Sequence, residues 1–283
     1  MPRKPSFLSM PIPQRGCAPQ VEAKLAEQGV STVCVSAGCP NRAHCFSQGE
    51  ATFLLLGQGC SRNCLFCAMG EEAVTPVDAT EPQRVAQTVA SLELSYVVLT
   101  SVTRDDLPDG GAAHICQTAR EIRAHAPHTR VEALLPDFGG CRRALFLAAT
   151  GSFSIVGHNV EMVPSLYTRY RSGGGFQRSL SVLHALGEHG IPTKSGFMVG
   201  LGETQEEVLS LISTLSDTGI SVLTAGQYLP GRRGGITPKR YVSPEEFEIY
   251  AAHAQECGIA SVRMGPYVRS SLNAADCFRE ICK

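Results

Sequence analysis

Residues 34 to 67 carry two cysteine triplets: Cys34, Cys39 and Cys45 spaced C-x4-C-x5-C, then Cys60, Cys64 and Cys67 spaced C-x3-C-x2-C. About an eighth of the 283-residue chain thus holds six of its twelve cysteines. In a reducing compartment thiols crowded at short spacing point to metal binding or catalysis, not to a disulfide scaffold. Three thiolates at the second spacing can wrap one face of a cubic iron–sulfur cluster and leave one iron without a protein ligand. That open iron is a place for chemistry. A zinc knot competes, but structural zinc takes four ligands, commonly as C-x2-C pairs, and no fourth stands near the second triplet. A plain redox pair, Cys64 with Cys67, is the weaker alternative.

The rest of the composition bounds what those thiols serve. A 43% hydrophobic content fills a sizeable core, and 25 Lys plus Arg against 26 Asp plus Glu leave no global field toward nucleic acid or an anionic membrane. No nucleic-acid or membrane partner is expected. The opening "MPRKPSFLSMPIPQRGCAPQ" has no signal-peptide apolar core, and no segment approaches the roughly 18 unbroken apolar residues of a membrane span. The expected location is cytoplasmic.

The elements that position the cysteines alternate in type. Apolar runs at 51–57, 96–101, 130–136, 153–158, 193–200 and 221–229 predict six strands. Helical spacing follows in 82–94, in a segment from Gly111 to Pro127, and in 204–217, where Thr204 and Glu207 form a capping box. Such alternation predicts a parallel sheet with right-handed crossovers, either doubly wound or an incomplete barrel. Polar residues are expected at or just past the strands' C-terminal ends (Thr100-Ser101, Glu132, His158-Asn159, Lys194-Ser195 and Gln227-Tyr228), the rim that carries the active site in barrels. The expected fold is therefore α/β: a partial (β/α)6 TIM-type barrel over 51–250, with an N-terminal extension (1–50) and a C-terminal extension (251–283) packed across it.

A C-x3-C-x2-C loop after the first strand of such a chain resembles the radical S-adenosylmethionine enzymes. With the other triplet it is similar to the lipoyl synthase family in particular. The matching stretches are "ATFLLLGQGCSRNCLFC", "YVVLTSVTRDDLPDGGAAH", "VEALLPDF", "HNVE", "IPTKSGFMVGLGET", "LTAGQYL", "RYVSPEEF" and "GPYVRSS". The resemblance implies two 4Fe-4S clusters. Cys60, Cys64 and Cys67 would hold the first, whose open iron chelates S-adenosyl-L-methionine and cleaves it to a radical that removes hydrogen from an unactivated carbon. Cys34, Cys39 and Cys45, with Ser270 or Ser271, would hold an auxiliary cluster that donates sulfur. Thr100, Ser101, Asn159, Glu161 and Arg171 would contact S-adenosylmethionine, Arg171 at its carboxylate. Thr100 and Ser101 could instead only cap a strand, and Asn159 only bond a turn. The chain departs from the family at Leu272, where tyrosine is usual, at Ala68, and in the glycine-rich "RYRSGGGF".

The implied reaction inserts two sulfurs, at C6 and C8 of an octanoyl chain on a lysine of a lipoyl carrier domain or of glycine cleavage H protein, with ferredoxin or flavodoxin as reductant. Arg142-Arg143 and Arg232-Arg233 could dock an acidic carrier. The rivals are another two-cluster radical sulfur-insertion enzyme with a different acyl substrate, and a non-catalytic electron carrier or iron–sulfur scaffold. Other residues read as structural: Asp105 and Asp106 as ion-pair partners at a helix start, His44 as a surface loop residue, Cys116 and Cys257 as small helical core residues. "GLGET" lacks a dinucleotide-binding spacing. Cys277 and Cys282 read as incidental exposed thiols; neither they nor Cys17 and Cys141 receive a role.

Overall fold

The computed structural model describes residues 4–9, 16, 18–69, 72–231 and 235–282. Helices α1 (Ala18–Glu27), α2 (Val33–Ser36) and α3 (Arg42–Ser47) precede strand β1 (Glu50–Leu55). Then alternate α4 (Glu81–Ser91), β2 (Tyr96–Ser101), α5 (Ala112–His125), β3 (Arg130–Leu134), α6 (Arg142–Ala149) and β4 (Ile155–Gly157). The short α7 (Tyr167–Tyr170) and α8 (Phe176–Gly187) lead to β5 (Thr193–Val199), α9 (Gln205–Ser216), β6 (Val222–Gln227), α10 (Pro244–Glu256), β7 (Ser261–Gly265) and α11 (Ala274–Ile281).

All seven strands are parallel and pair in chain order, so every C-terminal end opens on one rim. The six expected strands stand within a few residues of their expected bounds. The seventh lies in the segment assigned to a C-terminal extension; its pattern was not legible because Arg263 and the half-buried positions around it break the apolar run. The Thr204–Glu207 capping box forms, and a second, Ser243 with Glu246, starts α10.

Alternation along the strands separates two environments. Phe53, Leu55, Val97, Leu99 and Val131 face outward into the helix-covered core, where each full burial of a large side chain stabilises by about 1.5–3 kcal/mol. Glu132 and Lys194 face inward and pair at 2.9 Å, and Tyr96 donates its hydroxyl to Glu132 at 2.9 Å. Helix α11 folds back beneath this layer: Ala274 and Phe278 meet Tyr96 and Val98, and Cys277 meets Ile155 and Val222. Cys277 is therefore fully buried at the barrel floor, not the exposed thiol expected, because the amphipathic helix that carries it plugs the barrel. Cys282 is exposed, as expected, Cys116 is buried and Cys257 half-buried. Cys17 lies outside the described residues.

The sheet leaves a lateral opening between β1 and β7, and both ends of the chain fill it. Thr32 bridges Phe53 antiparallel, and the Leu54 amide donates to the Ser31 carbonyl. The arm after β7 reaches across from the other side: Asn41 Nδ2 donates to the Tyr267 carbonyl at 2.7 Å, His44 bonds Asn273 at 3.0 Å, and the Ala274 amide donates to Glu50 on β1 at 3.2 Å. His44 thus sits on helix α3, exposed, where it joins the two ends of the chain.

Candidate active site

The second triplet lies on an irregular loop running from β1 toward α4. No strand ladder holds this loop; the Ser61 amide donates to the Thr103 carbonyl at 2.9 Å, the Leu65 amide to the Tyr170 carbonyl at 3.0 Å, and Arg62, between Cys60 and Cys64, adds a charged clamp. The Arg62 guanidinium donates Nε (2.7 Å) and Nη2 (2.8 Å) to Asp105, and Nη1 (2.9 Å) and Nη2 (2.8 Å) to Asp137. One buried fork thus clamps the loops after β1, β2 and β3 together. Burial alone would raise the Asp137 carboxyl, but Arg62 overrides it and holds it down at about 2. Asp106 pairs in the same region with buried Arg104 at 2.8 Å, so both acidic residues serve as the ion-pair partners expected. Backbone amides two residues on approach two of the sulfurs: Arg62 N donates to Cys60 Sγ and Met69 N to Cys67 Sγ, each at 3.4 Å. Burial pushes the Cys67 thiol up to about 11 against the Met69 bond, and also raises Cys64. A bound metal would have to displace those protons.

Glu161 faces this triplet. It adopts φ +71°, unusual for a residue with a side chain, and is pinned there by a parallel bridge to Phe197 on β5. Burial raises its carboxyl, while Arg171 and a hydrogen bond from Asn159 oppose the rise; its charge is felt at both Cys64 and Cys67. Arg171 lies over the Tyr167 ring (5.5 Å) and donates Nη1 to the Asn159 carbonyl at 3.1 Å. Beneath them buried His158 donates Nδ1–H to the Leu135 carbonyl (2.9 Å) and accepts at Nε2 from the Ser179 hydroxyl (3.0 Å), and burial lowers it to about 4, keeping it neutral.

The first triplet is held by helices. Cys34 is on α2, capped by Thr32, and Cys45 is on α3; both are buried. Burial, and then Cys34 and Cys39, push the Cys45 thiol up to about 12. Across from Cys39 stands Arg269 of the C-terminal arm.

A pocket of about 100 Å³ opens at the strands' C-terminal ends, lined in part by Asn159, Glu161, Thr224, Gly226, Arg269 and Ser270. Of its lining, Glu161 lies near enough to Cys64 and Cys67, and Arg269 near enough to Cys39, for their charges to be felt there. Glycine makes the room: a Cβ on Gly196 would lie 2.6 Å from Thr224 Oγ1 and 3.0 Å from Ser270 Oγ, and one on Gly226 2.1 Å from the Val268 carbonyl. Ser270 is already engaged, receiving Asn159 Nδ2 at 2.8 Å and donating to Asn159 Oδ1 at 3.1 Å. Thr100 and Ser101 are not in this lining. Thr100 donates to the Leu134 carbonyl at 2.9 Å, whereas the buried Ser101 hydroxyl has no protein partner, as expected of a group awaiting a ligand. Arg62, Asp137 and Arg269 were missed from sequence; the one available signal was an arginine enclosed by two candidate ligands.

The donor set fits polynuclear clusters. Each triplet offers three cysteine thiols, and a cubane takes one thiolate at each of several irons.

Comparison with known proteins defines the class first. The model of the Radical SAM superfamily matches residues 54–215, and the fold is shared with methylornithine synthase (TM-score 0.56, 12% identity, 76% of this chain and 70% of that one). It is shared too with Streptococcus suis SuiB bound to S-adenosylmethionine (TM-score 0.62, 10% identity, 88% of this chain and 54% of that one). Full-length relatives then narrow the class. The lipoyl synthase of Chlorobium phaeovibrioides is 46% identical over 95% of both chains, that of Geobacter metallireducens 46% over 96% of both. That of Actinobacillus pleuropneumoniae is 42% identical over 96% of this chain and 83% of its own. The chain belongs to the lipoyl synthase family, whose membership implies 4Fe-4S clusters and S-adenosylmethionine as cofactors and a radical sulfurtransferase activity.

Proposed function

We propose that this site inserts sulfur at C6 and C8 of an octanoyl chain held in amide linkage on a lysine of a lipoyl carrier domain or glycine cleavage H protein. The observation that carries the reading is one rim pocket whose lining includes Glu161, felt at Cys64 and Cys67, and Arg269, near Cys39. Cys60, Cys64 and Cys67 would hold the initiating cluster, which with S-adenosylmethionine supplies hydrogen abstraction from unactivated carbon. Cys34, Cys39 and Cys45 would hold the auxiliary cluster, consumed as the sulfur-bearing substrate. Ser271 is the better candidate for its oxygen ligand, because the Ser270 hydroxyl is committed to Asn159. Glu161 and Asn159 offer acceptors for the cofactor's ammonium and ribose hydroxyls, Ser101 an unused hydroxyl, and Thr100 a neighbouring rim position. Arg171 keeps N–H groups for a carboxylate beyond the one it gives to Asn159.

For the carrier, Arg142 and Arg143 form the exposed first turn of α6, where the helix dipole disfavours cations. That placement supports a role in receiving an acidic partner; Arg232-Arg233 lies outside the described residues. No helix among the described residues is long and apolar enough to cross a membrane, and the wealth of unpaired thiols supports a reducing, cytoplasmic setting with a ferredoxin- or flavodoxin-type reductant.

The test is anaerobic incubation of reconstituted protein with an octanoyl-lysine peptide, dithionite and S-adenosylmethionine, followed by mass spectrometry. Two added sulfurs are expected. Unaltered peptide alongside cleaved cofactor would transfer the reading to a sulfur-insertion enzyme for another acyl chain.

A further inference from the structure

The pocket and the C-terminal arm meet at one side chain. Ser270 Oγ contacts both heads of the Asn159 amide, at 2.8 and 3.1 Å, and the same amide stands near enough to the Glu161 carboxylate to hold its rise down. Glu161 in turn faces Cys64 and Cys67. The next residue back along the arm, Arg269, faces Cys39 of the other triplet.

We infer that Ser270 is a positioning residue: docked with the arm, it fixes the Asn159 amide and through it the Glu161 carboxylate, so that the state of the auxiliary site sets the cofactor pocket. The inference rests on the assignment of the Asn159–Glu161 pocket to S-adenosylmethionine. Its physical basis is local. An amide held at both heads by one hydroxyl cannot turn, and an amide that cannot turn presents one defined face to Glu161. Glu161 sits in a left-handed backbone conformation that its bridge to Phe197 already enforces, so the side chain is the remaining freedom to be removed. Close packing around Gly196, where no Cβ fits, keeps Ser270 within reach. When the arm withdraws, Asn159 loses its anchor. Cofactor binding and the integrity of the auxiliary site are then linked by a coupling free energy that acts in both directions.

The experiment uses anaerobically reconstituted holoprotein and two readouts, S-adenosylmethionine affinity by equilibrium dialysis and iron content per chain. Ser270→Ala should keep its iron yet bind the cofactor about three- to tenfold more weakly, the loss of one or two net hydrogen bonds. Ser270→Thr, which keeps the hydroxyl, should restore affinity, as a purely steric defect would not allow. Asn159→Ala should lose a similar factor, and the double variant no more than the larger single loss, because the two groups act as one. Cofactor affinity in Ser270→Ala equal to the unaltered protein, or losses that simply multiply in the double variant, would overturn the coupling. So would loss of iron in Ser270→Ala, which would make Ser270 itself the ligand. Failure of the unaltered holoprotein to bind S-adenosylmethionine would instead remove the pocket assignment beneath it.

Discussion

The two cysteine triplets are held by opposite means. Cys60, Cys64 and Cys67 lie on a loop without regular structure, and a single buried guanidinium with its two carboxylates shapes it. Cys34, Cys39 and Cys45 lie on and between short helices wedged against β1, and the arm from the far end of the chain is joined to this segment by Asn41 with Tyr267, His44 with Asn273 and the Ala274 amide with Glu50. The first arrangement is local to the rim and electrostatic; the second is long-range and depends on both chain ends arriving. A loop clamped by charge is formed as soon as the barrel is. A site assembled from distant segments can open without unfolding the barrel, which suits a site whose contents are consumed and rebuilt.

The contrast can be broken at its strongest point first. Arg62→Ala leaves buried Asp137 with only the longer Arg178 pair at 3.5 Å and the Gly139 amide, a loss expected to cost about 3 kcal/mol. It should lower the thermal midpoint of the apoprotein sharply and deplete iron from the second triplet while the first retains its share. Arg62→Lys should rescue little, because an ammonium cannot make the double fork. Equal iron loss from both triplets would show that the clamp is not local.

The next effect is one of pH. His158 lies beneath the charged clamp and its folded pKa, about 4, is depressed from an ordinary value of about 6.5. A depressed pKa means that the unfolded chain takes up the proton first. The contribution, about 3 kcal/mol, is complete above pH 6.5 and lost progressively as pH falls toward 4. Asp137, held at about 2, stays ionised across that window and keeps its arginine. Chemical denaturation of the apoprotein between pH 7 and 4 should follow this slope, and His158→Gln should flatten it; an unaltered slope would place the titration elsewhere.

The smallest effect sharpens the other side. Asn41→Ala removes one neutral bond to the Tyr267 carbonyl, worth about 1–2 kcal/mol, and should barely move the melting midpoint. Iron should nevertheless leave the first triplet faster than the second when both are challenged by a chelator. Release from both at one rate would mean that the arm is not what closes the auxiliary site.

Much of this was legible in the sequence, for a stated reason in each case. Both triplets, the strand before Cys60 and the alternation behind it are local patterns, and period and spacing carry them. The seventh strand and the buried place of Cys277 were not, because Arg263 interrupts the one and the other depends on a helix returning under the barrel. Thr100 and Ser101 stand at the end of β2, outside the lining of the pocket that Asn159 and Glu161 share, a placement that no local pattern could give.

The sequence by itself determined the chemistry: which side chains can hold iron, in what grouping, and on which rim of a parallel barrel they emerge. These depend on neighbours a few residues apart. Only the tertiary structure decided who holds those groups in place. Arg62 meets Asp137 and Ser270 meets Asn159 across 75 and 111 residues of chain, and nothing in residue type marks such partners before the strands set them face to face.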